Sequence, residues 1–150
     1  MKAPSFDYMR ASSLDDALGV LAEHGQDARI LAGGQQVRHA RLPEQIDRDP
    51  AAHVVGRRQL LVDIGAIDEL RGIAFDNGVV RIGALTRHRD VEDSELGGRH
   101  APLIHEAIRH VAHPAIRNRG TFGGSLAHGD PAAELPACVV ALDARILVAS

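Results

Sequence analysis

The chain has 150 residues, 45% hydrophobic and 25% charged, with a formal net charge of −3 at pH 7, as expected of one globular domain or two small lobes. Aromatic residues make up 3% of the chain and there is no basic excess, which argues against a nucleic-acid-binding surface. One cysteine excludes an internal disulfide or a multi-thiolate metal site, and the lack of a signal core or membrane-length apolar run indicates a cytoplasmic protein.

The first 34 residues predict a strand, a helix and a second strand. Residues 6–10 are typical of a short edge strand. Apolar residues recur at helical spacing over residues 14–23, with serines before them to cap the helix and Gly25 to end it. The apolar run 28–32 predicts a strand that leads directly into Gly33 and Gly34.

Residues 36–59 interrupt this regular pattern. The segment is strongly polar, contains Pro43 and Pro50, and has no sustained hydrophobic period. Such a stretch predicts a long loop or a disordered segment, which is unusual inside a compact domain. We therefore expect a seam here, between an N-terminal β-α-β lobe (residues 1–56) and a second α+β lobe (residues 57–150).

The second lobe is predicted to contain four short strands and several helices. Asn77-Gly78 lies between two apolar runs and predicts a hairpin, because both residues accept positive φ. Thr86 is expected to cap a short helix. The remaining predicted elements are a strand at 60–64, a helix at 102–111, a buried helix at 131–142 and a final strand at 145–149.

Two glycine-rich stretches are the candidate functional segments. The late loop (residues 118–134) contains four glycines and two small hydroxyl residues, and the early loop (residues 31–35) contains Gly33 and Gly34. Glycines allow a ligand to approach backbone N–H groups closely, and successive N–H groups form a concavity that binds phosphate. Together, the two stretches predict a site in which one extended phosphate ligand is held from two sides. Each stretch alone is also consistent with a tight turn.

Several stretches resemble the FAD-binding medium subunit of molybdenum hydroxylases, the group of xanthine dehydrogenase and carbon monoxide dehydrogenase. The most specific is His-Pro-Ala-Ile-Arg-Asn-Arg-Gly-Thr-Phe-Gly-Gly-Ser-Leu-Ala at 113–127. The others are Leu-Ala-Gly-Gly-Gln at 31–35, Leu-Val-Asp-Ile-Gly at 61–65, Ile-Gly-Ala-Leu-Thr at 82–86, Asp-Pro-Ala-Ala-Glu-Leu-Pro at 130–136 and Ala-Leu-Asp-Ala at 141–144.

The resemblance implies an α+β, two-lobed FAD-binding domain of the vanillyl-alcohol-oxidase-like type, with the flavin between the lobes. It implies a subunit of an FAD-dependent oxidoreductase. Its partner subunits carry a molybdenum cofactor (the large subunit) and iron–sulfur clusters (the small subunit), and electrons pass through both to FAD and then to an acceptor. By position, the cofactor-binding residues are Ala32, Gly33, Gly34, Gln35 and Gln36 on one side, Thr121, Gly123, Gly124 and Ser125 on the other, and Glu134 near the flavin or its ribityl chain.

The chain departs from the family pattern in two places. Gln36 stands where a hydroxyl residue is usual, and the polar segment 36–59 replaces a hydrophobic helix, which suggests a local reading-frame shift. The family also continues beyond residue 150, so the second lobe is expected to be incomplete. Two alternatives follow: a truncated remnant that folds and self-associates without flavin, and a general nucleotide-phosphate-binding module.

Other reactive residues have simpler interpretations. His105, His110 and His113 lack the spacing of a known metal motif, so we expect solvated histidines and no metal site. Cys138 lies among apolar residues and is expected to be a buried, inert thiol. A basic cluster contains Arg109, Arg117 and Arg119; it either steers phosphate or a partner subunit, or is a solvated face.

Overall fold

The computed structural model describes residues 6–34 and 59–150, so the segment predicted at 36–59 lies outside the described residues except for Gln59. The first part contains strand β1 (Phe6–Arg10), helix α1 (Leu14–His24) and strand β2 (Ala28–Leu31). The Ser13 hydroxyl accepts a hydrogen bond from the backbone N–H of Asp16 (3.1 Å) and caps α1. Gly25 ends the helix with a φ of 51°. The predicted strand–helix–strand order is confirmed.

Strand β3 (Gln59–Asp63) lies between β1 and β2, and all three strands are parallel. Val62 is fully buried and pairs with Met9 on one side and Ile30 on the other. Because the strands are parallel, their carboxyl ends lie at one edge of the sheet, which positions the candidate site. The sheet therefore combines strands from both sides of the lobe boundary predicted at residue 56.

An antiparallel hairpin follows the sheet. It consists of strand β4 (Ile73–Asp76) and strand β5 (Val79–Ile82), joined by Asn77 and Gly78 with φ values of 50° and 81°. The Asn-Gly prediction is confirmed, because a two-residue hairpin turn of this kind needs positive φ at both positions.

The remaining described elements are helices, named here in chain order: α2 (His88–Glu92), α3 (Glu95–His100), α4 (Pro102–Ala107), α5 (Pro114–Arg117), α6 (Phe122–His128) and α7 (Glu134–Ala141). Their buried side chains form one hydrophobic core, and a second core lies around the three-stranded sheet. The first includes Val91, Ile104, Ile108, Phe122, Leu135 and Cys138. The second consists of Ala11, Ala17, Ala28, Val62, Ile67 and Leu85. The α+β class is confirmed.

Two helix predictions need correction. Thr86 does not cap α2, because its hydroxyl group is bound to the backbone N–H and carbonyl of Gly72, both at 3.0 Å. Arg87 occupies the N-cap position instead. The helix predicted at 102–111 is α-helical through Ala107 and continues as a 3₁₀ turn, after which Ala112 takes a φ of 47°.

The C-terminal predictions are wrong in part. Helix α7 begins three residues later than predicted, because the backbone carbonyl and carboxylate of Asp130 form a turn with the N–H groups of Ala133 and Ala132. It is buried on one side only, since Val140 is 81% exposed. Residues 145–149 form no strand, because no described strand lies beside them to pair with. In the described ranges, no helix has both the length and the apolar character of a membrane span.

Candidate functional site

A cavity of about 330 Å³ lies at the carboxyl edge of the three-stranded sheet. The ends of the strands contribute Arg10, Leu31 and Asp63, and residues 32–34 of the early loop form one wall. Gly65 and three residues from the second half of the chain, Arg87, Asn118 and Arg119, complete the lining. The cavity thus lies where the early loop meets the first residues of the late loop.

The early loop is in direct contact with the late loop. A Cβ atom added at Gly33 would collide with the carbonyl oxygen of Arg119 and would lie 3.2 Å from the Cα of Gly120. Gly34 has a φ of 73°, in the region that favours glycine. Within residues 6–34 and 59–150, the backbone N–H groups of Gly33 and Gly34 have no acceptor. These two donors are therefore available to a ligand.

Replacement of Gly33 by alanine is expected to lower the free energy of unfolding by about 1–3 kcal/mol, because backbone atoms must move to accommodate the new methyl group. Gly19 on α1 provides a matched control, since a Cβ there meets nothing within 4 Å. Gly19→Ala is expected to raise stability by about 0.5–1 kcal/mol through helix propensity. Urea unfolding of both variants measures the difference, and equal values for the two would contradict the loop contact.

Asp63 is the one carboxylate in the cavity lining formed by residues 6–34 and 59–150. Its oxygens accept hydrogen bonds from the Tyr8 hydroxyl (2.5 Å) and the Gly65 N–H (2.8 Å), and Arg10 Nε lies 3.6 Å away. Burial raises the pKa of Asp63, but these hydrogen bonds and the charge of Arg10 outweigh burial and hold the pKa below its ordinary value. Asp63 is therefore ionised near neutral pH and already bound to Tyr8, Gly65 and Arg10.

The cavity has an excess of positive charge. Among the residues that the structure describes, Arg10, Arg87 and Arg119 line it together with one carboxylate, that of Asp63. The Arg87 side chain donates a hydrogen bond to the carbonyl of Arg119, and in the part of the chain that is described the guanidinium groups of Arg87 and Arg119 have no carboxylate partner. Three guanidinium groups beside free glycine N–H groups suit a phosphate or pyrophosphate.

The late loop is held by hydrogen bonds to the residues before α2. The N–H groups of Phe122 and Gly123 donate to the carbonyls of Thr86 (2.9 Å) and Ala84 (2.8 Å). Thr121 is buried and caps α6, since its hydroxyl accepts from the Gly124 N–H (3.2 Å). A Cβ at Gly123 would lie 2.7 Å from the Cβ of Ala84, so glycine permits this close approach.

These bonds change the expected role of the late loop. The N–H groups of residues 122–125 already have acceptors, so they do not form the open row of donors that the sequence suggested. Thr121 is different: no described residue accepts from its backbone N–H. The Thr121 N–H is thus a donor with no acceptor among the described residues, on a buried residue next to the cavity lining.

The basic cluster divides into three environments. Arg119 lines the cavity, and Arg109 is exposed with Glu106 at 3.7 Å. Arg117 is buried and donates to both carboxylate oxygens of Glu92 (2.9 and 3.3 Å). The hydrogen bonds from Arg117, together with its charge, hold the pKa of Glu92 below its ordinary value. Arg117 therefore stabilises the fold beside the site.

The predicted site residues fall into four groups. Ala32, Gly33 and Gly34 line the cavity. The late-loop residues Thr121, Gly123, Gly124 and Ser125 follow the lining residue Arg119 but do not line the cavity themselves. Glu134 is partly buried at the start of α7, away from the lining. Gln35 and Gln36 lie outside the described residues.

The sequence analysis did not identify Arg10, Asp63 or Arg87 as site residues, whereas Asn118 lies in the predicted late loop. The position of Asp63 could have been predicted from the sequence. It is the last residue of an apolar strand, and ligands bind at the carboxyl ends of parallel strands. Burial raises the pKa of the Cys138 thiol, which is consistent with an inert residue. No group of three histidine, cysteine or acidic residues within 6–34 and 59–150 is arranged to hold a metal ion.

Sequence comparisons show that the chain is similar to FAD-binding proteins. The family described as the FAD binding domain in molybdopterin dehydrogenase matches residues 4–150. The 6-hydroxypseudooxynicotine dehydrogenase complex subunit alpha of Paenarthrobacter nicotinovorans is 45% identical over 150 residues, which are 100% of this chain and 47% of that protein. The carbon monoxide dehydrogenase medium chain of Hydrogenophaga pseudoflava is 37% identical over 148 residues, 99% of this chain and 48% of that one. The chain spans about half the length of the curated relatives it matches.

The fold agrees with the sequence match. The chain is similar to a solved structure of carbon monoxide dehydrogenase from Hydrogenophaga pseudoflava that lacks the Mo-pyranopterin moiety of the molybdenum cofactor. The TM-score is 0.79 at 36% identity, and the match covers 94% of this chain and 46% of that chain. Since the family match spans nearly every residue, the chain belongs to the FAD-binding domains of molybdopterin dehydrogenases.

Proposed function

We propose that this chain binds the pyrophosphate of FAD in the cavity between the early loop and the first residues of the late loop. One observation carries the proposal: among the described lining residues, three arginines face one carboxylate, which is already hydrogen-bonded to the protein. The free N–H groups of Gly33 and Gly34 lie on the same cavity wall. A ligand with two negative phosphate groups compensates this charge, and the residues present therefore fit FAD.

The proposed binding residues have distinct roles. Residues 32–36 hold the pyrophosphate from the early-loop side, with Gly33 and Gly34 as backbone donors. Thr121 and Ser125 are proposed to hold the ligand from the late-loop side, with the N–H of Thr121, two residues beyond the lining residue Arg119, as the donor. The N–H groups of Gly123 and Gly124 already have acceptors within the protein. These two residues are therefore proposed to contribute to the site through their lack of side chains and not as hydrogen-bond donors. Glu134 is proposed to contact the ribityl chain or the flavin.

The biological role proposed for the chain is electron transfer within a molybdenum hydroxylase. FAD, when bound, supplies the redox chemistry; the residues of this chain bind it and place it. A large subunit with the molybdenum cofactor and a small iron–sulfur subunit are the proposed partners. The relatives support this role, because one is named a subunit of a dehydrogenase complex and another a medium chain. A cytoplasmic location is proposed with it.

Competition between ligands tests the proposal. We expect FAD to bind more tightly than riboflavin by at least about tenfold, which corresponds to about 1.4 kcal/mol from the pyrophosphate and adenosine part. We also expect ADP to compete with FAD. Flavin fluorescence and equilibrium dialysis measure the three dissociation constants. Equal affinity for ADP and FAD would favour a general nucleotide-phosphate module, and no binding of any of them would favour a flavin-free remnant.

A further inference from the structure

A buried histidine, His88, connects the start of α2 to the late loop. Its side chain is 3% exposed in the folded chain. The ring Nε2 lies 3.0 Å from the carbonyl oxygen of Thr121 and 3.0 Å from the hydroxyl of Ser125. The backbone N–H of His88 donates to the carbonyl of Gly120, also at 3.0 Å. One residue thus contacts three residues of the segment that holds Thr121.

These contacts determine where the ring proton lies. A carbonyl oxygen can only accept, so Nε2 must carry the proton that the Thr121 carbonyl receives. Nδ1 is buried and has no hydrogen-bond partner among the described residues, which is tolerable for a bare lone pair but costly for an N–H group. The ring is therefore the neutral Nε2–H tautomer. It cannot take a proton from Ser125, which excludes a serine nucleophile activated by His88.

The charges around the ring agree with this neutral state. Burial lowers the pKa of His88, the Thr121 hydrogen bond raises it, Arg117 lowers it and Glu134 raises it. The net direction is downward, because burial is the largest of these effects.

The geometry links His88 to the free donor of the late loop. In a trans peptide the N–H and C=O groups point in opposite directions. The carbonyl of Gly120 points to the backbone of His88, so the N–H of Thr121 in the same peptide points away from it. The His88 side chain holds the next peptide through the Thr121 carbonyl. His88 therefore orients both peptides that flank Thr121.

We propose that His88 is the positioning residue that holds the Thr121 N–H in the orientation in which it donates to the pyrophosphate of FAD. This inference rests on the proposed function, because it assigns a supporting residue to the same site. It predicts that a donor at the Nε2 position is required, whatever side chain carries it.

Three substitutions of His88 test this requirement. Glutamine places an amide N–H group near the Nε2 position, asparagine places one near Nδ1, and leucine has none. His88→Gln is expected to retain FAD affinity within about threefold, whereas His88→Asn and His88→Leu are expected to lose about tenfold, equivalent to about 1.4 kcal/mol. His110→Leu is the control, since that imidazole is exposed and lies outside the site. Fluorescence titration with FAD, below the melting temperature of each variant, measures the effect.

A ligand-free measurement separates this inference from the proposed function. Amide hydrogen exchange at Phe122 and Gly123 is expected to accelerate in the leucine and asparagine variants and to stay slow with glutamine. If the parent chain binds no FAD, the proposed function fails, while the exchange pattern still decides whether His88 orders the loop. The inference is overturned if the glutamine variant behaves like leucine, or if all three variants exchange and bind like the parent.

Discussion

Replacement of Arg117 by methionine is expected to lower the free energy of unfolding by about 3–5 kcal/mol, the range for breaking a buried ion pair on one side. The side chains of Arg117 and Glu92 are 9% and 15% exposed, so water replaces little of the lost interaction. Arg117 also donates to the carbonyls of Val111 and Ala112, both at 3.2 Å, which lose their donor. Urea unfolding at pH 7 measures the change.

Two comparisons separate the buried pair from a general loss of positive charge. Arg109→Met removes an exposed arginine that lies 3.7 Å from Glu106, and it is expected to cost less than about 1 kcal/mol. The double variant Arg117→Met with Glu92→Gln is expected to be more stable than Arg117→Met alone, because no unpaired charge is left buried. A double variant as unstable as the single one would contradict this explanation.

The pH dependence of the pair has a defined sign. The folded-state pKa of Glu92 lies below its unfolded value, so the charge contributes stability above the unfolded pKa. That contribution is lost as the pH falls through the depressed folded pKa. The stability difference between the parent and Glu92→Gln should therefore be constant near neutral pH and shrink below about pH 4. A difference that grows toward acidic pH would contradict the sign.

Loss of both Arg87 and Arg119, the cavity arginines whose guanidinium groups have no carboxylate partner among the described residues, is expected to weaken FAD binding by up to about a hundredfold. Each arginine that donates to a phosphate is assigned about 1.4 kcal/mol, or about tenfold, at a partly exposed site. Arg119→Gln and Arg87→Gln should each raise the dissociation constant for FAD about tenfold. The two effects should be less than additive, because Arg87 donates to the Arg119 carbonyl. Calorimetric titration with FAD at fixed ionic strength measures both steps.

Riboflavin and a distant arginine provide the controls for this experiment. Riboflavin lacks the pyrophosphate, so its affinity should not change in either variant. Arg81 is exposed on β5 and lies outside the cavity lining, and Arg81→Gln should leave FAD affinity unchanged. An equal loss of riboflavin and FAD affinity would show that the arginines act through the fold and not through phosphate contact.

Local sequence signals predicted the elements that depend on neighbouring residues. Helix α1 begins after the Ser13 cap and ends at Gly25, and Asn77-Gly78 forms the hairpin turn, as predicted. Each of these structures is determined by residues a few positions apart. The family resemblance, carried mainly by residues 113–127, was also confirmed. Boundaries that depend on long-range contacts were less accurate. Thr86, for example, bonds to Gly72, which is 14 residues away.

The charged part of the site could not be derived from sequence spacing. Arg10, Asp63 and Arg87 meet because β3 lies between β1 and β2 and the late loop packs against the early one. No local pattern reveals that strand order. The prediction of a strand at 145–149 was wrong because a strand needs a partner. The apolar residues of this segment favour a strand, but no described strand lies beside it.

The most direct test of the account is the visible absorption spectrum of the purified chain after incubation with excess FAD and removal of unbound ligand. The cavity described here predicts retained flavin bands, with the chain folded by circular dichroism. A folded chain without flavin bands would contradict the claim that the two glycine loops form a working FAD site.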